Sequence, residues 1–543
     1  MVAALSLHCS TLLFLAALWI CSGSEAKRRN VLFIVVDDLR PELGAYNASI
    51  AYTPNLDRFA KEGVTFKRAY VQYAVCSPSR NSFMSGRRPD TTQVWTMLSH
   101  FREKDIGPDW ASLPGYFRQN GYATLGSGKL YHKQFPPDND YAKSWSQDWP
   151  YFNPNCRQKE CPSSEPCPKF IHPRCLDHVG DKSVCVADIP LNETVVQRQL
   201  EDMWVRDDCI KRLGIAKDSG KNFFVGCGLR RPHVTWMLPA ESWSYFPQDL
   251  SDIPLPKHPY MPTGMPDIAY HMPEDVHRIT DLPYNTTPNA TQVRIYRRAY
   301  YAAVAYQDYN IGKILDAVEE MGLKNDTAVL VIGDHGFHLG EYDTFAKLTN
   351  FEIAVRIPMI LRAPWLPGAQ GTVTDVLAEA VDIYPTLVEL AGLPDPVQQG
   401  EELNGTSLVR VLRDPHDVTM KRAAFSQIAK QHRDKPFETN PYFKKEKIEV
   451  MGYSVRVDEW RYTAWFGVPK GTLTPNTTDV FARELYSHTG DDGDFDFGGE
   501  FFNVVADPKH KTIVAELHQM ILEYIQVWRK SNGKDIALAE VYV

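Results

Sequence analysis

The chain has 543 residues, 43% hydrophobic and 23% charged, with a formal net charge of −8. That length exceeds one minimal core and suits a large domain with a smaller one, and the composition is that of a soluble globular protein. The acidic balance excludes a general nucleic-acid binder, so binding of a polyanion would need a local basic pocket.

Residues 12–20, LLFLAALWI, are too short to cross a membrane and are followed by the small residues Cys21, Ser22, Gly23 and Ser24. They read as the core of a secretory signal over 1–24, although no Lys or Arg precedes the run. No later stretch is apolar enough for a membrane-spanning helix, so no stable membrane anchor is expected. Seven N-x-S/T sequons follow, at Asn47, Asn192, Asn285, Asn289, Asn325, Asn404 and Asn476, which suits the secretory pathway.

Residues 30–39, NVLFIVVDDL, form a nearly continuous apolar run ending in two acids, the pattern of a buried parallel strand. In open α/β sheets ligands sit beyond the carboxyl ends of strands, where Asp37 and Asp38 fall. Adjacent carboxylates repel unless a cation or proton intervenes. A hard divalent metal would resolve this, and a helix cap or turn would use the same residues. Thr53-Pro54 opens a helix through Ala60, and 64–66 is a short strand before Cys76. This βαβ rhythm predicts an α/β fold.

Residues 112–120 read as a helix closed by Gly121, and 122–125 as a strand whose end carries Lys129 and His132. Residues 133–190 read as a surface insertion stapled by disulfides, and 194–213 as a long helix. The buried strand 223–229 runs into Arg230-Arg231-Pro232-His233, and 238–290 reads as a long Pro-rich loop. A helix over 292–321 precedes a strand over 328–333, which is followed by Asp334-His335 and, within reach, Lys347. A strand at 358–361 and a helix at 381–392 complete a large domain over 25–428. The polar run 429–447 reads as an exposed linker to a small unit over 448–543, with strands at 449–457 and 461–466 and a last helix near 509–530.

Of ten cysteines, Cys9 and Cys21 leave with the signal and Cys76 is set aside for chemistry. Disulfides are expected among Cys156, Cys161, Cys167, Cys175, Cys185, Cys209 and Cys227, with a zinc site at Cys156, Cys161, Cys167 and His172 as the alternative. The odd count leaves a thiol, and Cys227, inside an apolar strand, is the expected one.

The stretch that organises the chain is 75–92, VCSPSRNSFMSGRRPDTT. Its C-x-P-S-R, trailed by S-G-R, resembles the signature of the formylglycine-dependent sulfatases of the alkaline phosphatase-like superfamily. NVLFIVVDDLRPELGAY, YFRQNGYATLGSGKLYH, RRPH and GDHGFHLGEYDTFAKLTNF extend the likeness over nearly the whole mature chain. The resemblance implies a large mixed, mostly parallel sheet sandwiched by helices, with a smaller C-terminal α+β subdomain. It implies that Cys76 is oxidised by a formylglycine-generating enzyme to an aldehyde whose hydrate is the nucleophile. Arg80, four residues on, would share the face of a helix starting at Cys76 and hold the nucleophile's oxygens.

The resemblance further implies a calcium ion held by Asp37, Asp38, Cys76, Asp334 and His335, although oxygen-rich ligation also admits magnesium. Arg80, Lys129 and Lys347 would bind sulfate oxygens, His233 with Lys347 would protonate the leaving sugar oxygen, and His132 would accept a proton as sulfate departs. The expected substrate is a sulfated glycosaminoglycan, with the 2-sulfate of iduronate as the ester cleaved, in the lysosomal lumen. Phe337 and Leu348 stand where the family pattern leads one to expect Trp and Tyr, and both are expected to flank the substrate pocket. A phosphodiester or phosphonate hydrolase of the same superfamily could carry the same signature. An inactive glycan-binding scaffold would lack at least one site residue, and none is lacking.

Overall fold

Asn30 and six apolar residues form β1, Asn30–Val36, and all seven are buried. Their alternation feeds two cores. Leu32, Ile34 and Val36 face one hydrophobic layer, while Val31, Phe33 and Val35 face the other. The strand is therefore central and covered on both sides, which explains its unbroken hydrophobicity. A computed structural model describes residues 27–531 except 133–136, 138–139, 147–174, 179–183, 195–198, 272–287, 367, 436–439 and 492–498. The expected signal over 1–24, Cys156, Cys161, Cys167, His172 and the Asn285 sequon lie outside the described residues.

The elements around β1 are α1 (Pro54–Ala60), β2 (Val64–Tyr70), α2 (Cys76–Ser85), α3 (Leu113–Gln119), β3 (Ala123–Gly128), α4 (Glu201–Asp218) and β4 (Phe223–Leu229). They continue with α5 (Ala290–Glu320), β5 (Thr327–Gly333), β6 (Arg356–Arg362), β7 (Thr372–Glu379) and α6 (Ile383–Leu390). The sheet order is β7-β2-β6-β5-β1-β4-β3. Only β6 runs antiparallel to its neighbours, so the sheet is mixed and mostly parallel. Helices α1, α4 and α5 supply one layer, and α2, α3 and α6 the other. Helix α5 begins at a capping box in which Asn289 and Gln292 satisfy each other's backbone N–H.

A second, antiparallel sheet follows: β8 (Ala424–Lys430), β9 (Val450–Arg456), β10 (Trp460–Gly467) and β11 (Val480–Ser487), with the last helix α7 (Lys511–Ser531) packed on β9 and β10. The expected linker thus joins two neighbouring strands of this sheet, since β8 precedes it and pairs with β9. Residues 429 and 430 of that stretch belong to β8 itself.

The described part of the expected insertion contains strands. Cys175–His178 and Val184–Ala187 pair as a hairpin, and the latter pairs in parallel with Trp236–Pro239. Cys175 and Cys185 are joined by a disulfide across the hairpin. The expectation for Cys227 is corrected, because it is bonded to Cys209. Cys227 on β4 faces the layer in which α4 packs, and the two Cα atoms come within 6.0 Å. The free cysteine among the described residues is Cys76, which is buried.

Candidate active site

The parallel strands deliver their C-terminal ends to one rim of the sheet. Past β1, Asp37 keeps a ladder-like bond from its N–H to Leu229 O (3.0 Å). Asp38 then turns into the left-handed region, at φ 62°, which a non-glycine residue adopts only where the surroundings impose it. Past β5 come Asp334 and His335, with the Asp38 N–H donating to Asp334 Oδ1 (2.9 Å). Helix α2 starts at Cys76 and is buried along its whole length, so Arg80 lies one turn below the thiol. Ser79 Oγ donates to Asp334 O (2.5 Å) and pins the helix to the end of β5.

Lys129 follows β3, and its N–H donates to Gly228 O (2.8 Å). The glycines of β4 make this approach possible: a Cβ on Gly228 would stand 2.1 Å from Lys129 C. Past β4, His233 is held by a loop whose N–H groups at Arg230 and Arg231 donate to the Asp202 carboxylate (2.5 and 3.2 Å). Lys347 sits on a short ribbon in which His338–Leu339 pairs with Phe345–Ala346. Ala346 and Leu348 on either side of it both have positive φ, 65° and 76°. His338 Nε2 and Thr349 Oγ1 are hydrogen-bonded at 2.9 Å across that turn.

Around Cys76 the geometry is tight. Its Sγ lies 3.3 Å from Asp37 Oδ1, 3.3 Å from His335 Nε2 and 3.3 Å from Lys347 Nζ. Ligand atoms of Asp37, Cys76, Asp334 and His335 all lie within 4.8 Å of one another. Asp38 stands beside these four: its Oδ1 is 3.5 Å from His335 Nε2 and accepts from Lys347 Nζ at 2.5 Å. Arg80 Nε donates to Asp334 Oδ2 (2.9 Å), its Nη2 is 3.4 Å from Asp37 Oδ1, and Nη1 donates to Lys129 O and Leu130 O. Lys129 Nζ pairs with Asp37 Oδ2. His233 offers a ring nitrogen within 4.8 Å of ligand atoms of Cys76 and Asp38. His132 lies within electrostatic reach of Lys129, Asp37, Arg80 and Lys347.

Three buried acids thus meet three buried cations. Burial by itself would raise Asp37, but Lys129, His233, Arg80 and Lys347 together hold it well below the carboxylate range. Burial lifts Asp38 to about 7 despite Lys347, with the neighbouring acids adding to the rise. Burial likewise lifts Asp334 to about 6 against Arg80. Burial, with Asp37, also pushes the Cys76 thiol far up, so as a thiol it is a poor nucleophile. Burial holds His132, His233 and His335 well below the usual imidazole range.

These residues fit a hard divalent cation. His335 Nδ1 donates to Gly336 O (3.0 Å), so its Nε2 carries the lone pair of a neutral ring. That lone pair points at Asp38 Oδ1 and Asp334 Oδ2, both at 3.5 Å. Among the described residues Asp38 Oδ2 is buried with no hydrogen-bond partner. Acceptors facing acceptors in a dry site are costly unless a cation lies between them.

All ten site residues predicted from the sequence therefore converge on this rim. Phe337 and Leu348 differ from expectation. Phe337 is 1% exposed and stacks on Tyr300, and Leu348, 4% exposed, packs in the core beneath the small sheet with Tyr73 and Trp95. Neither is an open pocket wall. Asp202 and Gly228 were not singled out from the sequence, because each acts through a backbone contact that sequence pattern does not display, and Thr349 was missed because its hydroxyl meets His338 only across the folded turn.

The Sulfatase family model matches residues 29–393. Iduronate 2-sulfatase of Mus musculus is 32% identical over 514 residues, covering 86% of this chain and 89% of that protein. The Homo sapiens iduronate 2-sulfatase is 31% identical over 537 residues, covering 87% and 92%. Among solved structures, the phosphonate monoester hydrolase from Silicibacter pomeroyi superposes with a TM-score of 0.67 at 20% identity, covering 93% of this chain and 96% of that one. A 2-O GAG sulfatase superposes with a TM-score of 0.65 at 20% identity, covering 95% of both. Likenesses at that identity bear on the fold alone.

Proposed function

The chain belongs to the sulfatase family, and on that premise we propose that it removes the 2-sulfate of iduronate from the non-reducing ends of heparan sulfate and dermatan sulfate in the lysosomal lumen. The cofactors in this reading are a calcium ion and a formylglycine made from Cys76 by a formylglycine-generating enzyme. The observation that carries the reading is Cys76 Sγ at 3.3 Å from Asp37, His335 and Lys347 in one buried cluster.

The hydrated aldehyde would supply a geminal diol, with one hydroxyl to serve as nucleophile toward sulfur and the other to allow release of sulfate. The cation would be held by Asp37, Asp38, Asp334, His335 and the modified residue 76, and supplies positive charge where oxygens gather. Arg80 is buried and keyed to Asp334 and Asp37, so it presents a fixed charge to the nucleophile. Lys129 and Lys347, each anchored on one acid, bind the sulfate oxygens. His233 Nδ1 donates to Val234 O (2.6 Å), which leaves Nε2 to handle the substrate's proton. Burial keeps that ring neutral in the free protein. An arriving sulfate brings negative charge and favours the protonated form, so His233 becomes an acid when substrate is bound. His132 takes the proton from the second hydroxyl as sulfate departs.

In the same reading, residues 1–24 are removed as a signal, sequons carry glycans, and maturation nicks the connection over 429–447. The exposure of Asn47, Asn192, Asn289, Asn325 and Asn476 supports the glycans. Asn404 is half-buried, and its Oδ1 accepts from Arg88 N (2.9 Å) and Thr91 Oγ1 (3.0 Å).

The test is turnover of a 2-sulfated iduronide against an aryl sulfate and an aryl phosphate. Preference for sulfate over phosphate, with cleavage of the iduronide, is expected. Turnover of aryl sulfate without the iduronide would overturn the sugar assignment, and preference for phosphate would overturn the sulfatase one. His233→Gln is expected to slow the iduronide by about 10²–10⁴-fold. It should slow the aryl sulfate far less, because a phenolate leaves without a proton. Equal losses on both would remove His233 from the acid role.

A further inference from the structure

We propose that Tyr300 is a positioning residue of the metal centre, fixing the turn that aims Asp37 and Asp38 at the cation. This rests on the reading that those carboxylates hold a divalent ion. Tyr300 lies on α5, in an aromatic-rich stretch that reads as ordinary core. Its hydroxyl is used otherwise. It donates to Asp38 O (2.7 Å) and accepts from Arg40 N–H (3.0 Å), bridging the two ends of one turn. That turn contains Asp38 in its left-handed conformation, φ 62°. A backbone in this region stays there only where its surroundings hold it. Among the described side chains the Tyr300 hydroxyl is the group that clasps both ends of the turn.

The ring is fixed as firmly as the hydroxyl. Phe337 stacks on it with centroids 5.7 Å apart and planes at 20°, and the Arg40 guanidinium lies 5.6 Å from its centroid. Arg40 in turn donates to Phe337 O (3.0 Å) and Glu341 Oε1 (3.0 Å), and Glu341 also takes Arg297 from α5 (2.8 Å). The clasp therefore ties three segments together: the Asp37-Asp38 strand end, the loop from Asp334 and His335 through Phe337, and α5. Tyr300, Arg40 and Phe337 are all essentially inaccessible to solvent. Phe337 is thus the floor under Tyr300, which gives its burial a role at the site.

Groups that orient first ligands without touching the ion commonly change metal affinity 10–100-fold when removed. The experiment is calorimetric titration of Ca²⁺ into chelator-stripped full chain, wild type and Tyr300→Phe, with kcat and KM measured across calcium concentrations. The phenyl ring of Y300F keeps the stack and loses only the clasp. Calcium affinity is expected to fall about 10–100-fold, with KM unchanged and kcat restored toward wild type at saturating calcium. An unchanged affinity in folded Y300F would overturn the proposal, as would a loss of kcat that saturating calcium does not restore. Failure of the wild type itself to bind calcium would instead overturn the metal reading. If Y300F does not accumulate as folded protein, Phe337→Leu keeps the hydroxyl and removes its floor. It should weaken calcium binding in the same direction by a smaller factor, and an affinity equal to wild type would overturn the proposal.

Discussion

Cys76→Ala is expected to lower kcat/KM on a sulfate ester by about 10⁵-fold or more while the protein stays folded. The loss is large because the proposed nucleophile, a candidate ligand of the cation and the partner of Lys347 Nζ disappear together. The fold should survive: Cys76 forms no disulfide and sits at the start of α2, where Val75 N-caps the helix without using the thiol. Truncation to alanine removes one sulfur atom, so the stability cost is of order 1 kcal/mol. Cys76→Ser gives a sharper reading. A single hydroxyl can attack sulfur once, but no second hydroxyl remains to expel sulfate, so a sulfated serine should accumulate without turnover. Full steady-state turnover by either variant, measured alongside a near-wild-type melting curve, would remove residue 76 from the chemistry.

The second large effect is expected at Arg80. Arg80→Leu should destabilise the protein by about 3–5 kcal/mol, because removing one partner leaves buried carboxylates uncompensated. It should also reduce turnover by about 10²–10³-fold, as loss of one fixed charge at a developing oxyanion does. Arg80 is 0% exposed, its Nε holds Asp334 at 2.9 Å, and Nη2 is 3.4 Å from Asp37. Those acids also belong to the candidate cation site, so calcium should mask part of the damage. The shift in melting temperature between R80L and wild type is therefore expected to widen after chelation. A shift that is small, or identical with and without calcium, would mean that Arg80 does not balance these carboxylates. Arg80→Lys keeps the charge but not the fork that also reaches Lys129 O and Leu130 O, and should fall between the two.

What was legible in the sequence follows a simple division. Strand ends announce themselves: an apolar run followed by Asp-Asp, Lys-Leu-Tyr-His, Arg-Arg-Pro-His or Asp-His places chemistry on one rim, and the sheet puts it there. Helix α2 starts at Cys76, so the helix of the candidate nucleophile was readable from its position. Pairings between distant segments were not readable. Cys227 looked like a core thiol because its own strand is apolar, and only the packing of α4 shows that Cys209 faces it. Strand β8 was missed because its partner β9 begins beyond a polar run that looked like a boundary. Tyr300 was invisible as a positioning residue because a tyrosine on a helix's buried face signals packing, while its hydroxyl contacts are set by the turn at Asp38. Phe337 and Leu348 were expected at the pocket from their places beside site residues, but adjacency along a turn does not fix which way a side chain points.

The central claim is that residue 76 is an aldehyde in the working protein. Mass spectrometry of the tryptic peptide over 69–80, AYVQYAVCSPSR, from secreted full-length protein tests it most directly. The account predicts a peptide whose residue 76 carries formylglycine, lighter than the cysteine form and trapped by a hydroxylamine or hydrazide probe. A peptide carrying only unmodified Cys76, from cells whose other sulfatases are converted, would contradict it.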